Sequence, residues 1–87
     1  GMIWMPMDKK DQLAELISNA ETSFYNGQLQ EAFSLSLSAI KLDENCADAY
    51  QYAANVCMSL SRYEDAIEYY QKVQIYIMLI TQIEMNL

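Results

Sequence analysis

The stretch Tyr63-Glu64-Asp65-Ala66-Ile67-Glu68-Tyr69-Tyr70-Gln71-Lys72 decides the fold. It contains no glycine or proline, and Ala66 is its single small residue. A small side chain among large ones marks a point where two helices can approach closely, with the large residues filling the grooves around it. Ser61 and Glu64 have the spacing of a capping box. The stretch is therefore predicted to be a helix that begins near Ser61 and crosses a neighbour at Ala66.

A matching pattern lies 34 residues earlier in the chain. Ala32 pairs with Ala66 at this offset, and Ala20 pairs with Ala54. Further pairs of large residues are Leu16 with Tyr50, Phe24 with Met58, Leu29 with Tyr63, Phe33 with Ile67 and Leu42 with Tyr76. Self-similarity at such a period is typical of stacked supersecondary units. The chain is therefore predicted to form two helical hairpins.

Capping residues set the limits of the first hairpin. Asp8 is predicted to cap a helix that runs to about Asn26. Gly27 is placed to end that helix in a left-handed conformation. The second helix then extends from about residue 29 to about residue 42.

The second hairpin begins after the polar residues 43–45. Asn45 is the predicted cap of the third helix, with Asp48 in its first turn. The fourth helix is predicted to run from about Arg62 to about Asn86, because residues 73–87 contain neither glycine nor proline.

With these elements in place, residues 63–72 resemble the second helix of a tetratricopeptide repeat. The stretch 47–50, together with Ala54, is similar to the opening of that repeat's first helix. The first copy keeps five of the expected residues, which are Leu16, Ala20, Gly27, Ala32 and Ala39. It departs from the pattern at Asn19, Ser23 and Ser36, and Glu44 replaces the closing proline.

The resemblance implies an all-α fold, an α-α superhelix of two tetratricopeptide-type helical hairpins with a long C-terminal helix. The two repeats are predicted at 13–46 and 47–80, which together form the unit 13–80. Residues 1–12 are interpreted as an N-terminal segment with an expression remnant, Gly1, and the start of the first helix. Residues 81–87 extend the last helix.

Apolar side chains surround most of the fourth helix beyond residue 72. One stripe with helical spacing comprises Val73, Tyr76, Ile77, Ile80, Ile83 and Leu87, and Ile75, Met78 and Leu79 lie off it. A surface helix need bury only one face, so this one needs a further partner. It either folds back as a cap on the hairpins, or joins a second copy or another protein, or marks a fragment. The residues predicted for self-association are Ile75, Ile77, Met78, Leu79, Ile80 and Ile83.

The composition excludes several function classes. The net charge is −7, with five scattered basic residues, which disfavours nucleic acid and anionic membranes. The chain has no histidine, so catalytic triads and most zinc sites are excluded, and we expect no enzyme, no cofactor and no metal. Cys46 and Cys57 are predicted to be free and to lack neighbouring cations that would lower a thiol pKa, so they are expected to be inert. No apolar run approaches the ~20 residues of a membrane helix, and a cytoplasmic location is expected.

What the resemblance implies for function is protein binding, because the first helix of each such hairpin lines a concave groove. The groove positions in this sequence are Ile17, Glu21, Phe24, Gln51, Tyr52, Asn55 and Met58. Tyr52 and Asn55 would hydrogen-bond a peptide backbone, while Ile17 and Phe24 would offer apolar contact. An alternative is that the N-terminal segment or a second copy covers this face. The predicted function is an adaptor or scaffold for a peptide or partner helix; the alternative is a small dimeric chaperone resembling those of type III secretion.

Overall fold

A computed structural model describes residues 8–85, which form four α-helices and no strand. The helices are α1 (Lys9–Tyr25), α2 (Leu29–Leu42), α3 (Ala47–Ser59) and α4 (Tyr63–Met85). The predicted all-α helical-hairpin fold is thereby confirmed. Three predictions lie outside the described residues: most of the N-terminal segment, the helix end at Asn86, and Leu87 of the apolar stripe.

The helices pack in chain order. α1 packs against α2, α2 against α3, and α3 against α4, while α1 also touches α3. The first helices of the two hairpins, α1 and α3, therefore lie side by side, and α2 packs against both of them. This arrangement brings the predicted groove residues of α1 and α3 onto neighbouring surfaces.

The first helix of each hairpin ends in the same backbone motif. At the end of α1, Gly27 has φ 79°, its N–H donates to the Phe24 carbonyl, and the Gln28 N–H donates to the Ser23 carbonyl at 2.8 Å. At the end of α3, Ser61 has φ 61°, and the Arg62 N–H donates to the Cys57 carbonyl, also at 2.8 Å. Both are Schellman motifs, which use a left-handed residue to satisfy the last carbonyls of a helix. The 34-residue period is thus present in the backbone, and the role predicted for Gly27 is confirmed.

One of the three predicted helix N-caps is confirmed: Asp8 caps α1, and its Oδ1 accepts a hydrogen bond from the Asp11 N–H at 3.0 Å. The predicted N-caps of α3 and α4 are wrong. Ser61 is the left-handed residue that follows the end of α3, and α4 begins only at Tyr63, so the capping box is not formed. Cys46 rather than Asn45 is the N-cap of α3, because the Asn45 N–H donates to Asp43 Oδ1 at 3.0 Å within the preceding turn.

The core is built from small side chains. The alanines predicted at the crossings are all fully buried, namely Ala20, Ala32, Ala54 and Ala66. Val56 is the largest of the completely buried side chains. Ser36, which occupies a place where the resemblance expects an aromatic residue, is also buried, and its hydroxyl donates to the Ala32 carbonyl at 2.8 Å. The backbones consequently approach closely, and larger residues pack around the edges of the core.

Helix α4 continues well past the end of its hairpin, as predicted. It has 23 residues, whereas the antiparallel α3 has 13. Because α4 is one continuous helix to Met85, it does not fold back as a cap on the hairpins within the described residues. None of the described helices is long and apolar enough to cross a membrane.

Candidate functional site

Two matched rows of side chains mark the adjoining surfaces of α1 and α3. Ile17, Glu21 and Phe24 are spaced i, i+4, i+7 on α1, so they share one helix face. Their counterparts 34 residues later are Gln51, Asn55 and Met58 on α3. We call these two rows, together with Tyr52, the α1/α3 face. Apart from the exposed Glu21 and Met58, its members are partly buried.

A cleft of about 360 Å³ lies between α1 and the beginning of α3. Ile17 and Glu21, two of the predicted groove residues, line it. The other lining residues are Lys10, Leu13, Ala14, Ser18, Cys46 and Asp48, which the sequence analysis did not assign to the groove. The α1 members among them follow the same i+3 and i+4 spacing as Ile17 and Glu21, and extending that row towards residue 10 would have found them. The cleft combines apolar side chains with two carboxylates and one ammonium group.

Tyr52 links the two helices of the face. Burial raises the pKa of the Tyr52 hydroxyl, and the Glu21 carboxylate on α1 raises it further. The hydroxyl therefore stays protonated and uncharged at neutral pH. It remains a hydrogen-bond donor beside an acidic group.

Asn55 is held by two neighbours. Its Oδ1 accepts a hydrogen bond from the Tyr70 hydroxyl on α4 at 2.6 Å and another from Gln51 Nε2 at 3.3 Å. With its carbonyl occupied twice, Asn55 offers a bound chain its amide N–H groups rather than its oxygen. Tyr70 was missed in the sequence analysis, since nothing local indicates a side chain from the second helix of the hairpin.

The far end of the face is apolar. Phe24 is partly buried and meets Tyr25 edge to face, with ring centroids 5.5 Å apart. Met58 is 46% exposed. A chain lying along the face would pass from the charged cleft, over the amide groups, to these apolar side chains.

The cysteines show no sign of activation. Burial raises the pKa of the fully buried Cys57 thiol, which opposes formation of the nucleophilic thiolate. The expectation that no cation lies near the cysteines is wrong for Cys57. The positive charge of Arg62 lowers the pKa of this thiol, although by less than burial raises it. Cys46 is partly exposed, and both thiols are free. Within residues 8–85, no cluster of acidic or cysteine side chains is arranged to hold a metal ion.

The distal part of α4 forms a second surface. The residues predicted for self-association are exposed by the following fractions: Ile75 58%, Ile77 56%, Met78 57%, Leu79 55%, Ile80 44% and Ile83 65%. Tyr76, between them, is 39% exposed. We call residues 75–83 the distal segment.

A cleft of about 310 Å³ lies at the base of the distal segment. It is lined by Glu44, Asn45, Ala47, Tyr50, Lys72, Ile75, Tyr76 and Leu79. The sequence analysis did not anticipate it, because its walls come from the α2–α3 connection and from a helix 30 residues further along the chain. The cleft therefore depends on how α4 packs against the start of α3 and the connection that precedes it.

Comparison with known proteins adds no family assignment: no family model, curated protein or solved structure matches this chain.

Proposed function

We propose that this chain is a tetratricopeptide-like protein-interaction module, an adaptor or scaffold that binds a peptide or a partner helix on its α1/α3 face and carries out no catalysis. The observation that supports this most directly is the matched pair of residue rows on α1 and α3, which begins at the cleft beside Ile17 and Glu21. Two free thiols favour a reducing, cytoplasmic setting.

The chemistry of the face favours a basic or neutral ligand. Glu21 and Asp48 stand at the cleft against the single cation Lys10, and the whole chain carries a net charge of −7. A peptide with a lysine or arginine over the cleft would pair with these carboxylates. Its backbone carbonyls would accept from the Asn55 amide group and its apolar side chains would meet Phe24 and Met58.

The binding test uses a peptide selected from a displayed random library against the full chain. Tyr52→Ala with Asn55→Ala should weaken binding of that peptide at least about tenfold, since two central polar contacts are lost. The control Tyr63→Ala with Gln74→Ala likewise removes one tyrosine and one side-chain amide, here from exposed positions on α4, and should bind like the wild type. Calorimetry gives the affinities, and circular dichroism verifies that both variants remain helical.

Wild-type affinity in the Tyr52/Asn55 variant, with unchanged helicity, would place binding elsewhere. Glu21→Lys provides an independent test of the role of charge. This variant should lose more affinity for a basic peptide at low salt than at high salt, because salt screens the interaction. An effect of equal size at both salt concentrations would argue against a basic ligand over the cleft.

A second candidate function is that of a small dimeric chaperone resembling those of type III secretion. It is favoured by the distal segment, whose exposed apolar side chains could hold another chain in an unfolded state. Retention of an unfolded client by the wild type, and its loss on removal of residues 75–87, would favour this function over an adaptor role.

A further inference from the structure

The distal segment projects beyond the hairpin that carries it. Helices α3 and α4 are joined at residues 60–62 and run antiparallel, so the additional length of α4 lies past the start of α3. The difference of ten residues corresponds to about 15 Å at the rise of an α-helix. The turns of α4 beyond this point consequently have no stretch of α3 alongside them, apart from Tyr76 and Leu79, which border a cleft shared with the start of α3.

The distal segment is uncharged, and apolar side chains surround most of it. No charged residue occurs between Lys72 and Glu84, although the whole chain carries a net charge of −7. Two acidic molecules could therefore approach through this segment without placing carboxylates in contact. Its seven large apolar and aromatic side chains together expose on the order of 700 Å², spread around the helix, which is the upper limit of what they can bury; the smaller stable interfaces bury about 600 Å² per partner.

The cleft at the base of the segment provides a complementary surface. It is bounded by Ala47 and Tyr50 of α3 on one side and by Ile75, Tyr76 and Leu79 of α4 on the other. Tyr76, Leu79 and Ile83 follow one another at intervals of three and four residues, so they lie along one face of the helix. The same helix face thus borders the cleft near its base and presents a free isoleucine near its tip.

We propose that two copies of the chain associate through their distal segments, antiparallel and about a two-fold axis near Leu79 and Ile80. Ile83 of each copy then lies beside Tyr76 of the other, at the mouth of the 310 Å³ cleft. Such an isologous contact uses the same patch twice and closes on itself.

This association uses a surface separate from the α1/α3 face and does not depend on the proposed function. Sedimentation of the full wild-type chain at micromolar concentration should give a mass of about 20 kDa, twice that of the 10.0 kDa chain. Leu79→Glu with Ile80→Glu should restore the mass of a single chain. The control Ile67→Glu changes a residue of the same helix that is equally exposed, at 56%, but lies outside the segment, and it should remain dimeric.

Disulfide trapping tests the antiparallel geometry. In a Cys46→Ser background, where the remaining Cys57 is buried, Leu79→Cys should give a covalent dimer on mild oxidation, because the two copies of residue 79 meet near the axis. Ile67→Cys should stay monomeric on a denaturing gel. A wild type that remains monomeric up to the highest soluble concentration, a larger open oligomer, or trapping at residue 67 instead of 79 would each overturn the proposal.

Discussion

Ala66→Leu should destabilise the chain by roughly 1–3 kcal/mol, because the extra side-chain atoms must be accommodated where α4 crosses α3. Ala66 has no exposed surface, and it is one of several alanines that let the backbones approach. The larger side chain can fit only if the helices separate, which would also loosen the packing of α3, whose Ala54 and Val56 are fully buried. Thermal unfolding followed by circular dichroism should show a lower melting temperature, by about 4–8 °C for each kcal/mol in a domain of this size.

Ala14→Leu is the matched control for this experiment. Ala14 is an exposed alanine within α1, so the same enlargement there should change the free energy of unfolding by no more than about 0.5 kcal/mol. If the two variants melt at the same temperature, Ala66 does not lie at a tight crossing and the proposed hairpin register is incorrect.

Gly27→Val should cost about 1–2 kcal/mol, through backbone strain alone. Gly27 has φ 79°, and a Cβ added there would meet no atom within 4 Å, so no steric clash with the rest of the protein contributes. A β-branched residue is especially unfavourable at positive φ. Chemical denaturation of the variant should show a lower midpoint with an unchanged slope.

The reverse change, Ser61→Gly, tests whether the two hairpins share this motif. Ser61 occupies the equivalent place with φ 61°, and removing its side chain should relieve strain. The gain should be roughly 0.5–1 kcal/mol, less than the full strain energy because glycine also makes the unfolded chain more flexible. A loss of stability in Ser61→Gly would show that the Ser61 side chain contributes more than its backbone conformation costs.

The helices and the crossing alanines could be predicted because they depend on local and periodic signals. Gly27 ends α1 where its sequence position indicates, and the 34-residue offset identifies Ala20, Ala32, Ala54 and Ala66 as core positions without knowledge of the contacts. The absence of a break near Tyr76 likewise predicted that α4 would continue. In each case a few neighbouring residues, or one repeat distance, contain the necessary information.

The errors arise where one residue satisfies two local patterns. Ser61 fits both the start of a capping box and the end of a preceding helix, and the hydrogen bonds that the Ser61 and Arg62 N–H groups donate to the last carbonyls of α3 decide between them. Asparagine is a residue type that is preferred at helix N-caps, yet the Asp43 side chain already accepts a hydrogen bond from the Asn45 N–H in the preceding turn. Local propensity does not rank such competing hydrogen bonds.

The candidate site was predicted only in part, because its chemistry depends on distances between helices. The matched rows on α1 and α3 follow from the repeat, but the hydrogen bond between Tyr70 and Asn55 spans 15 residues and requires the actual packing of α3 on α4. The same holds for the effect of Glu21 on Tyr52. Neither pairing leaves a signal in the sequence of either helix alone.

The projection of α4 beyond α3 also has a consequence for hydrogen exchange. Helical turns that lack tertiary neighbours are only marginally stable in water, so they open locally at a much lower free energy than the body of a protein. In an isolated chain the backbone amides of residues 80–85 should therefore exchange with solvent deuterium far faster than those around Ala54 or Ala66. Any molecule that covers the distal segment, a second copy included, would slow that exchange, and the protection of these few amides thus measures directly how much of the segment is occupied.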